Sequence, residues 1–394
     1  MVTWMFTTFI VVGLLVTLIM FAAQWRQLGR GQRPGSDHRP PVSVLKPLKG
    51  VDADLEKNLE SFFVLEYPEY EIVFGVADRQ DPALQMARRV AARHPEVTAR
   101  FAVGGPEVGF NPKVNNLANI LRQASHEILL VSDSNVEAHP LTLGAMVSRL
   151  ENDNVGLVTS FIRGTGGIGL GGALESLQLN TFVMGGVAAV GGWLGQVCAV
   201  GKSMLFRRSD LDRIGGFAEL GRYLAEDQVC GELIYGLGRE VLVCPRPVDN
   251  VLGRVSVGEF VGRHLRWARI RRHFSLPGYT AELLTNPIPI AIAFFAIEPG
   301  RFSAALAACA LIVSLGAALA SERLLGVRRQ IFHYPFLVIL RSLLVAAVWP
   351  VPFVSDTVEW RGREFHIGPR TLLRPEAPCL GDELADLSPD EAAA

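Results

Sequence analysis

The sequence predicts an α/β domain with apolar, membrane-spanning segments on both sides of it. Over residues 26–282, short β-branched runs alternate with helical patterns, which is typical of βαβ units and a mostly parallel sheet. Residues 1–25 contain no charged side chain. Hydrophobic character returns in residues 283–354, and residues 355–394 then form a tail. We therefore expect a soluble domain that is held at a membrane from both ends.

The composition of the 394 residues narrows the class of protein. Charged residues make up 20%, against roughly a quarter in ordinary soluble domains, and the mean hydropathy is +0.27. Lys and Arg number 38 and Asp and Glu 39, so the chain has no global attraction for nucleic acid and we expect no such partner. The five cysteines lack any CxxC spacing, which excludes a disulfide framework or structural zinc site and fits a reducing compartment.

The N-terminal segment is long enough to cross a bilayer once, since about 20 apolar residues are needed. A retained anchor is favoured over a cleaved signal peptide, because the usual basic start is missing and the apolar run is too long. Arg26, Arg30 and Arg33 follow directly, and such charges prefer the cytoplasmic side. The N-terminus should lie outside and residues 26–282 in the cytoplasm, in a multi-pass protein of the bacterial inner membrane, or of the Golgi membrane if the source is eukaryotic.

Within the α/β domain, the predicted strands are short apolar runs that end in polar residues: 42–45, 71–76, 128–132 and 155–160. The helical patterns between them cover residues 54–65, 82–94 and 115–124. A further stretch, residues 181–201, is uncharged and rich in glycine, which makes it a poor helix. It is either a buried packing segment or a lipid-facing wall at the membrane surface, and the sequence favours neither.

The C-terminal third contains three hydrophobic segments, at residues 283–297, 302–320 and 335–354. The first is short for a full span, and the third carries Arg341, whose charge is costly in hydrocarbon unless it is paired or reaches the interface. If every segment crossed, the tail would end outside, whereas the arginines that follow the third segment argue for inside. One segment would then be re-entrant, with the proline-broken third a candidate, so the number of spans stays open.

Two aspartates directly follow predicted strands, Asp78 after 71–76 and Asp133 after 128–132. Ligands of open α/β sheets bind beyond the carboxyl ends of the strands, so both side chains point at the expected site. Either aspartate alone could simply be a turn-forming residue. As a pair they suit one nucleotide, held through its base or ribose and through a diphosphate that chelates Mg²⁺ or Mn²⁺.

Lys113 lies in the stretch 111–116, next to a helical pattern. It is either an anion contact near a helix start capped by asparagine or a solvated lysine in a loop, and we count it among the candidate donor-binding residues. Neither a GxxxxGKS/T loop nor a GxGxxG after a strand occurs. This argues against P-loop NTPases and Rossmann dehydrogenases.

Asp227 lies in the first turn of a helical pattern that opens at Ala225. A carboxylate at this position either compensates the helix dipole or serves as a rigidly held general base. Its neighbour Glu226 points in another direction, so the two are not expected to act as a glycosidase-like pair.

Residues 258–275 contain the most basic stretch, in which Arg263, Arg266 and Trp267 fall on one face of a helix. Two guanidiniums and an indole could bind a diphosphate there. The same stretch also has the pattern of a basic amphipathic helix that lies on an anionic membrane surface. Both uses are compatible if they involve different faces.

The order Asp78, Asp133, Asp227 and then the basic motif at 263–267 resembles the ceramide glucosyltransferases. These are inverting glycosyltransferases with the GT-A fold, a Rossmann-like nucleotide-binding domain, and they carry a D, D, D, (Q/R)xxRW signature. The resemblance covers most of the chain, roughly residues 1–370, and other short stretches support it: 42–50, 111–116, 200–204, 214–217 and 360–363.

The resemblance implies a role for each of these residues. Asp78 would hold the uridine of a UDP-sugar, and Asp133 a divalent cation, Mg²⁺ or Mn²⁺, on the diphosphate. Asn135 stands where many GT-A enzymes place a second acid, and it could supply a neutral oxygen to the metal. Asp227 would be the general base that deprotonates the acceptor hydroxyl. Three residues would bind the diphosphate and help it leave: Arg263, Arg266 and Trp267.

The implied activity is transfer of glucose from UDP-glucose to the primary hydroxyl of ceramide, with inversion to β-glucosylceramide. Hopanoid-associated glycosyltransferases share most of the motifs, so UDP-GlcNAc-dependent transfer to a hopanoid lipid stays open. The alternative of another class is a non-catalytic membrane protein that binds lipid or nucleotide, which the presence of Asp227 disfavours. Polysaccharide synthesis would need more membrane segments than these, because the polymer requires a channel.

Overall fold

The computed structural model describes residues 1–29, 39–327, 331–360 and 363–375. The α-helices are α1 Val2–Gly29, α2 Leu55–Glu60, α3 Pro82–Arg93, α4 Pro112–Leu121, α5 Thr142–Leu150, α6 Gly169–Gln178, α7 Met184–Val190, α8 Arg208–Arg213, α9 Gly216–Leu220, α10 Glu226–Gly236, α11 Val257–Phe274, α12 Leu276–Ala281, α13 Pro287–Ile297, α14 Arg301–Leu324 and α15 Tyr334–Val348. The strands are β1 Val42–Pro47, β2 Tyr70–Val76, β3 Thr98–Val103, β4 Ile128–Ser132, β5 Val136–Glu137, β6 Val155–Thr165, β7 Ser203–Arg207, β8 Glu240–Val251, β9 Thr357–Trp360, β10 Arg363–Ile367 and β11 Leu373–Pro375. Of the positions named above, several lie outside the described residues: Arg30, Arg33, 361–362 and 376–394.

The central sheet has eight strands in the order β3-β2-β1-β4-β7-β6-β8-β5. The first four in this order pair in parallel, as do β6 and β8. Strand β7 runs antiparallel to both of its neighbours, and β5 runs antiparallel to β8. The predicted α/β class is confirmed. The sheet is mixed because β7, a strand in the middle of the sheet, runs antiparallel to the strands on both sides of it.

The strands expected from the sequence correspond to β1, β2, β4 and β6, whose side chains are almost all buried. Strand β3 was not predicted because it lies at the edge of the sheet, where exposed positions such as Thr98 and Arg100 interrupt the apolar pattern. Strand β8 contains Pro245 and Pro247, which are unusual inside a sheet.

Alternate side chains of the strands point to opposite faces of the sheet and form two apolar cores, one on each face. Phe74 and Leu130 lie in the core that α2, α3 and α5 cover, whereas Val73 and Leu129 lie in the core that α4, α9 and α10 cover. Since β1, β2 and β4 are parallel, their carboxyl ends meet at one edge, and the residues that follow β2 and β4 emerge there.

Among the described residues, three helices are long and apolar enough to cross a membrane: Val2–Gly29, Arg301–Leu324 and Tyr334–Phe353. A fourth candidate is a pair of helices bent by 66° at the break between them: Leu276–Thr285 and Pro287–Ile297.

The helices α1, α13 and α14 pack side by side. Phe6 of α1 stacks on Phe294 of α13 with 5.3 Å between the ring centroids, and near the same end Thr3 Oγ1 donates to Glu298 Oε2 at 2.8 Å. The outer faces of these helices expose large apolar side chains, as expected of surfaces that face lipid: Phe9, Leu15, Ile292, Phe295 and Ile312.

Both ends of α15 lie on the side of the bundle that meets the α/β domain. At its start, the Tyr334 hydroxyl donates to Glu322, which also accepts a hydrogen bond from Asn180 of the α/β domain at 3.3 Å. Just past its end, the Trp349 indole N–H donates to the carbonyl of Tyr279, in the helix that follows α11. The chain therefore leaves α15 on the side from which it entered.

The uncharged stretch 181–201 is buried in its first half and exposed further along. Met184 and Ala188 of α7 are buried against Ala23 of α1. Trp193 and Leu194, further along, are 42% and 69% exposed. One half therefore packs the anchor helix onto the domain, and the other presents an apolar surface beside it.

The tail contains a second sheet, with the strand order β11-β10-β9, that the sequence did not reveal. Thr371 connects this sheet to the start of α10. Its carbonyl accepts a hydrogen bond from the Leu224 N–H at 3.0 Å, and its hydroxyl accepts one from the Ala225 N–H at 3.2 Å. The C-terminal sheet thus supports the turn that precedes Glu226 and Asp227.

Candidate active site

Asp133 follows the buried strand β4 and lies between two lysine side chains. Its Oδ1 is 2.8 Å from Lys113 Nζ, and its Oδ2 is 3.0 Å from Lys202 Nζ. Burial would raise the pKa of Asp133, but the two ammonium groups outweigh burial and hold this pKa well below its usual range. Asp133 is therefore ionised, and protein charges already neutralise it.

Lys113 connects Asp133 to the start of α10. Its Nζ lies 3.0 Å from Glu226 Oε1 and donates to the carbonyl of Gly201 at 3.3 Å. Burial lowers the pKa of Lys113, but the charges of Asp133 and Glu226 outweigh it and raise this pKa above its ordinary value. Lys113 is thus a charged bridge between two carboxylates and not a solvated loop residue.

The start of α4 fixes the position of Lys113. Pro112 occupies the first turn, where its missing N–H costs nothing. The Asn111 side-chain oxygen caps the helix by accepting hydrogen bonds from the N–H groups of Lys113 at 3.0 Å and Val114 at 3.2 Å. The Lys113 side chain therefore extends from a rigid first turn that lies next to the carboxyl edge of the sheet.

Asp227 lies half-buried in the first turn of α10. Its Oδ2 accepts a hydrogen bond from the Gly201 N–H, and its Oδ1 accepts one from the Gln228 N–H, both at 2.8 Å. Burial and, to a smaller extent, the charge of Glu226 raise the pKa of Asp227 to about 6. Lys113 and the hydrogen bonds from the two amides act in the opposite direction but are outweighed. A carboxylate with this pKa is suited to accept a proton near neutral pH.

Glu226 is adjacent to Asp227 but has a different environment. It is buried, its Oε1 pairs with Lys113, and its Oε2 accepts a hydrogen bond from the Asn111 side-chain amide at 3.1 Å. Both of its oxygens are therefore occupied by protein groups, which leaves Asp227 as the stronger candidate for a base.

Two further lysines at this site were missed in the sequence. Lys202 Nζ donates to Asn135 Oδ1 at 2.8 Å and so bridges Asn135 and Asp133. Lys46 of β1 is fully buried, and its Nζ donates to the backbone carbonyl of Asp133 at 2.6 Å. Burial lowers the pKa of Lys46 to about 7. Both lysines stand within the stretches 42–50 and 200–204 that support the family resemblance, and this was the available signal.

Asp78 lies at the same edge of the sheet, exposed, beyond the end of β2. Its Oδ1 accepts a hydrogen bond from the Gln80 N–H at 2.8 Å, which fixes a local turn. No hydrogen bond or ion pair among the described residues joins Asp78 to Asp133 or Lys113. Its second carboxylate oxygen makes no hydrogen bond or ion pair with any residue that the structure describes.

The basic helix α11 is fixed to α6 by one buried carboxylate. Glu175 is fully buried, and its two oxygens lie 3.1 Å from Arg263 Nη1 and 3.1 Å from His264 Nε2. Burial raises the pKa of Glu175, but His264 and Arg263 outweigh it and lower this pKa below its ordinary value. Arg263 is therefore engaged with an ionised partner.

Arg266 is differently placed from Arg263. It makes no hydrogen bond or ion pair with any residue that the structure describes, while burial and the charge of Arg263 lower its pKa. The charges of Glu226 and Glu175 act in the opposite direction, so the guanidinium lies within electrostatic reach of α10. Trp267 is half-buried, and its ring meets the ring of His264, one turn earlier, edge-on with 5.3 Å between the centroids.

Together these residues form a charged cluster with a candidate base, three lysines and an arginine that has no protein partner among the described residues. Such a set suits a ligand with a diphosphate beside a reacting hydroxyl. Residues 5–373 match the sequence model of a family described as Glycosyl transferase family 21. The chain belongs to glycosyl transferase family 21.

Relatives of this family 21 chain confirm the resemblance seen in the sequence. Ceramide glucosyltransferase 1 of Caenorhabditis elegans is 32% identical over 233 residues, which are 59% of this chain and 50% of that protein. The ceramide glucosyltransferase of Komagataella phaffii is 27% identical over 301 residues, which are 62% of this chain and 59% of that protein. The chain thus spans about half the length of the nematode relative.

A solved structure supports the fold. The mannosyltransferase PcManGT of Pyrobaculum calidifontis, in complex with GDP-Man and Mn²⁺, matches with a TM-score of 0.50 at 19% identity, covering 88% of this chain and 98% of that one. At this identity the likeness shows the fold alone. It confirms the expected glycosyltransferase fold of the GT-A type.

The family 21 site has donor atoms for one divalent cation. The Asp133 carboxylate and the Asn135 amide are hard oxygen ligands, of the kind that Mg²⁺ and Mn²⁺ accept together with phosphate oxygens. Within the described ranges, no three His, Cys, Asp or Glu side chains are grouped to hold a metal, so substrate oxygens would have to complete the coordination. Lys202 contacts both ligands, and a cation would therefore have to displace its ammonium group.

Proposed function

We propose that this chain is a membrane-bound inverting glycosyltransferase that transfers glucose from UDP-glucose to the primary hydroxyl of ceramide, giving β-glucosylceramide. The observation that carries the proposal is Asp227, a held carboxylate with a raised pKa beside the Lys113–Asp133 cluster. The ceramide glucosyltransferase relatives support the choice of donor and acceptor.

Asp227 acts as the general base. A primary hydroxyl is a weak nucleophile, and the carboxylate accepts its proton as the oxygen attacks the anomeric carbon. The Gly201 and Gln228 amides hold the carboxylate in one orientation, so that little reorganisation is needed during the reaction. One displacement with one base converts an α-linked donor into a β-linked product.

Positive side chains stabilise the departing UDP, whose diphosphate gains negative charge as the bond breaks. Lys113 and Lys202 exchange their contacts with Asp133 for contacts with phosphate oxygens, and Arg266 supplies a two-point contact. A divalent cation held by Asp133 and Asn135 would add further positive charge on the same oxygens. Asp78 accepts hydrogen bonds from the uridine at the other end of the donor.

The domain works on the cytoplasmic face in this proposal. The anchor α1, the bent pair that includes α13, and α14 carry the chain across the bilayer, whereas α15 returns to the side of the domain. In this proposal the N-terminus lies outside, and the C-terminal sheet lies beside the active site. The acceptor then approaches along the apolar surface of Trp193 and the basic helix α11.

The test is to incubate membranes that contain the protein with UDP-glucose or UDP-GlcNAc, each with ceramide or a hopanoid acceptor. We expect β-glucosylceramide, identified by mass and anomeric NMR, and at least about a hundredfold slower formation of it by Asp227→Asn. An α-linked sugar would contradict the inverting mechanism. β-GlcNAc on a hopanoid would keep the mechanism and replace the substrates, and lipid or nucleotide binding without any transfer would favour a non-catalytic protein.

A further inference from the structure

Arg341 carries a charge that the proposed reaction does not use. It lies in α15, where its Nη1 donates to Gln178 Oε1 at 3.1 Å and its Nη2 to Ser342 Oγ at 3.2 Å. Its Nε is buried without a hydrogen-bond partner, and no carboxylate among the described residues pairs with the guanidinium. An arginine among membrane helices is costly and usually marks a functional site.

Gln24 of α1 presents a second unsatisfied polar atom. Its side chain is 1% exposed, and its Nε2 donates to the carbonyl of Asn180 at 3.1 Å. Its Oε1 is buried and has no hydrogen-bond partner. A buried acceptor without a partner is destabilising unless a ligand or an ordered water satisfies it.

Both side chains line one open cavity between α1, α14, α15 and residues 177–182. The space measures about 540 Å³ including its mouth, which is open to solvent. Among the described residues that line it, none is acidic. The rest of the wall mixes hydroxyl groups with apolar side chains: Thr17, Phe21, Thr181, Ser314, Ser321 and Val338.

A second cavity adjoins the first and borders the catalytic domain. Phe182 and Thr285 line both cavities, and the second one reaches α11 at His264 and Ala268. The same helix carries the basic motif at 263–267 on its way to the active site. The two cavities therefore lie next to each other, one among the helices of the bundle and the other against α11.

We propose that the first cavity is the entry site for the acceptor lipid, which it binds through the amide and hydroxyl groups at the polar end of the lipid. This inference rests on the proposed function. An amide offers an N–H to Gln24 Oε1 and a carbonyl to the Arg341 guanidinium, and a hydroxyl can serve as either. The oxygens of an anionic phosphate would satisfy Arg341, but they offer no donor to the Gln24 oxygen.

Binding is tested first, with the full chain in phosphatidylcholine vesicles and a photoactivatable ceramide as the probe. We expect labelling of peptides that contain residues 17–24 and 314–321, and a loss of about tenfold or more in Gln24→Leu and Arg341→Met. Ala317→Phe fills the cavity without removing Arg341, and Ala308→Phe on the exposed face of the same helix is its matched control. Equal labelling of these two phenylalanine variants would overturn the proposal.

Kinetics and competition separate the remaining outcomes. Gln24→Leu should raise the KM for ceramide about tenfold and leave kcat and the KM for UDP-glucose unchanged, because it affects entry and not chemistry. Unlabelled ceramide should displace the probe better than diacylglycerol, which has no amide N–H. Displacement by phosphatidylglycerol and not by ceramide would overturn the proposal in favour of an anionic lipid.

The same experiments distinguish this proposal from the proposed function. A wild-type protein that is labelled in the cavity but glucosylates no lipid would overturn the function and support the site as a lipid site. A protein that glucosylates ceramide with the same KM in wild type, Gln24→Leu and Ala317→Phe would overturn the entry site alone.

Discussion

Replacing Arg263 by glutamine should reduce activity because it leaves the buried carboxylate of Glu175 without its ion pair. Removing one partner of a buried ion pair costs about 3–5 kcal/mol when nothing else compensates. Here His264 remains 3.1 Å from the same carboxylate, and Arg263 itself is 33% exposed, so the loss is smaller. We expect Arg263→Gln to cost about 1.5–3 kcal/mol. If this cost arises in the transition state because α11 shifts there, kcat/KM falls about tenfold to 150-fold.

The matched double variant, Glu175→Gln with Arg263→Gln, removes the charge together with its partner. Two amides can still hydrogen-bond across the same gap, and glutamine is the residue that the signature of the ceramide glucosyltransferases allows at the first position of (Q/R)xxRW. The double variant should therefore recover most of the activity that either single variant loses. The measurements are kcat and KM for UDP-glucose, with ceramide as acceptor, and the Tm of all four proteins.

The result that would refute this reasoning is additivity. If Arg263 binds the diphosphate directly, the double variant loses at least as much as Arg263→Gln, and the loss appears as a higher KM for UDP-glucose. If Arg263 positions Arg266 and Trp267 through Glu175, the loss appears in kcat and the two single effects do not add. A Tm that falls in parallel with kcat in every variant would show that the pair only stabilises the fold.

The remaining predictions concern the base, the cation and the second arginine of the motif. Asp227→Asn should lower kcat by about 10²–10⁴-fold while UDP binding, measured by calorimetry, persists; wild-type turnover would exclude Asp227 as the base. In the wild type, kcat/KM should fall as the pH drops through about 6, because Asp227 then carries the proton it must accept, and a flat profile from pH 5 to 8 would contradict this. Lys202→Met should tighten Mn²⁺ binding in the absence of UDP by about tenfold, because it releases Asp133 Oδ2 and a second ligand oxygen. If the surface control Lys57→Met binds Mn²⁺ with the same affinity as Lys202→Met, this prediction is refuted. Arg266→Lys should lose most of its kcat, since an ammonium cannot reproduce a two-point contact with phosphate, and full activity would mean that no such contact forms.

The elements that carry the candidate site residues could be predicted from the sequence because they are locally encoded. The strands that precede Asp78 and Asp133 are apolar runs that end at a polar residue, and helix α10 opens at the position where the pattern changes near Asp227. Edge strand β3 and the C-terminal sheet were missed since their patterns are weak and their partners lie far away in the sequence.

The lysine cluster could not be predicted from spacing because it depends on long-range register. Strand β7 pairs antiparallel with β4 so that Ser132 lies opposite Ser203, which brings Lys202 beside Asp133. The pairing of Glu175 with α11 likewise depends on how two helices pack, and no local sequence motif predicts it. The sequence therefore indicated the carboxylates of the site and Lys113, but not Lys46 and Lys202.

The pairing of carboxylates with lysines has a consequence for the order of binding. Two carboxylates of the site, those of Asp133 and Glu226, pair with the ammonium groups of lysine side chains: Lys113 and Lys202. A divalent cation alone would meet carboxylates that already have ammonium partners and would have to displace one of these partners. A diphosphate attracts those ammonium groups and thereby frees the Asp133 oxygens for the cation. Because coupling between two ligands is reciprocal, each should strengthen the binding of the other, and the cation should enter the site together with the nucleotide.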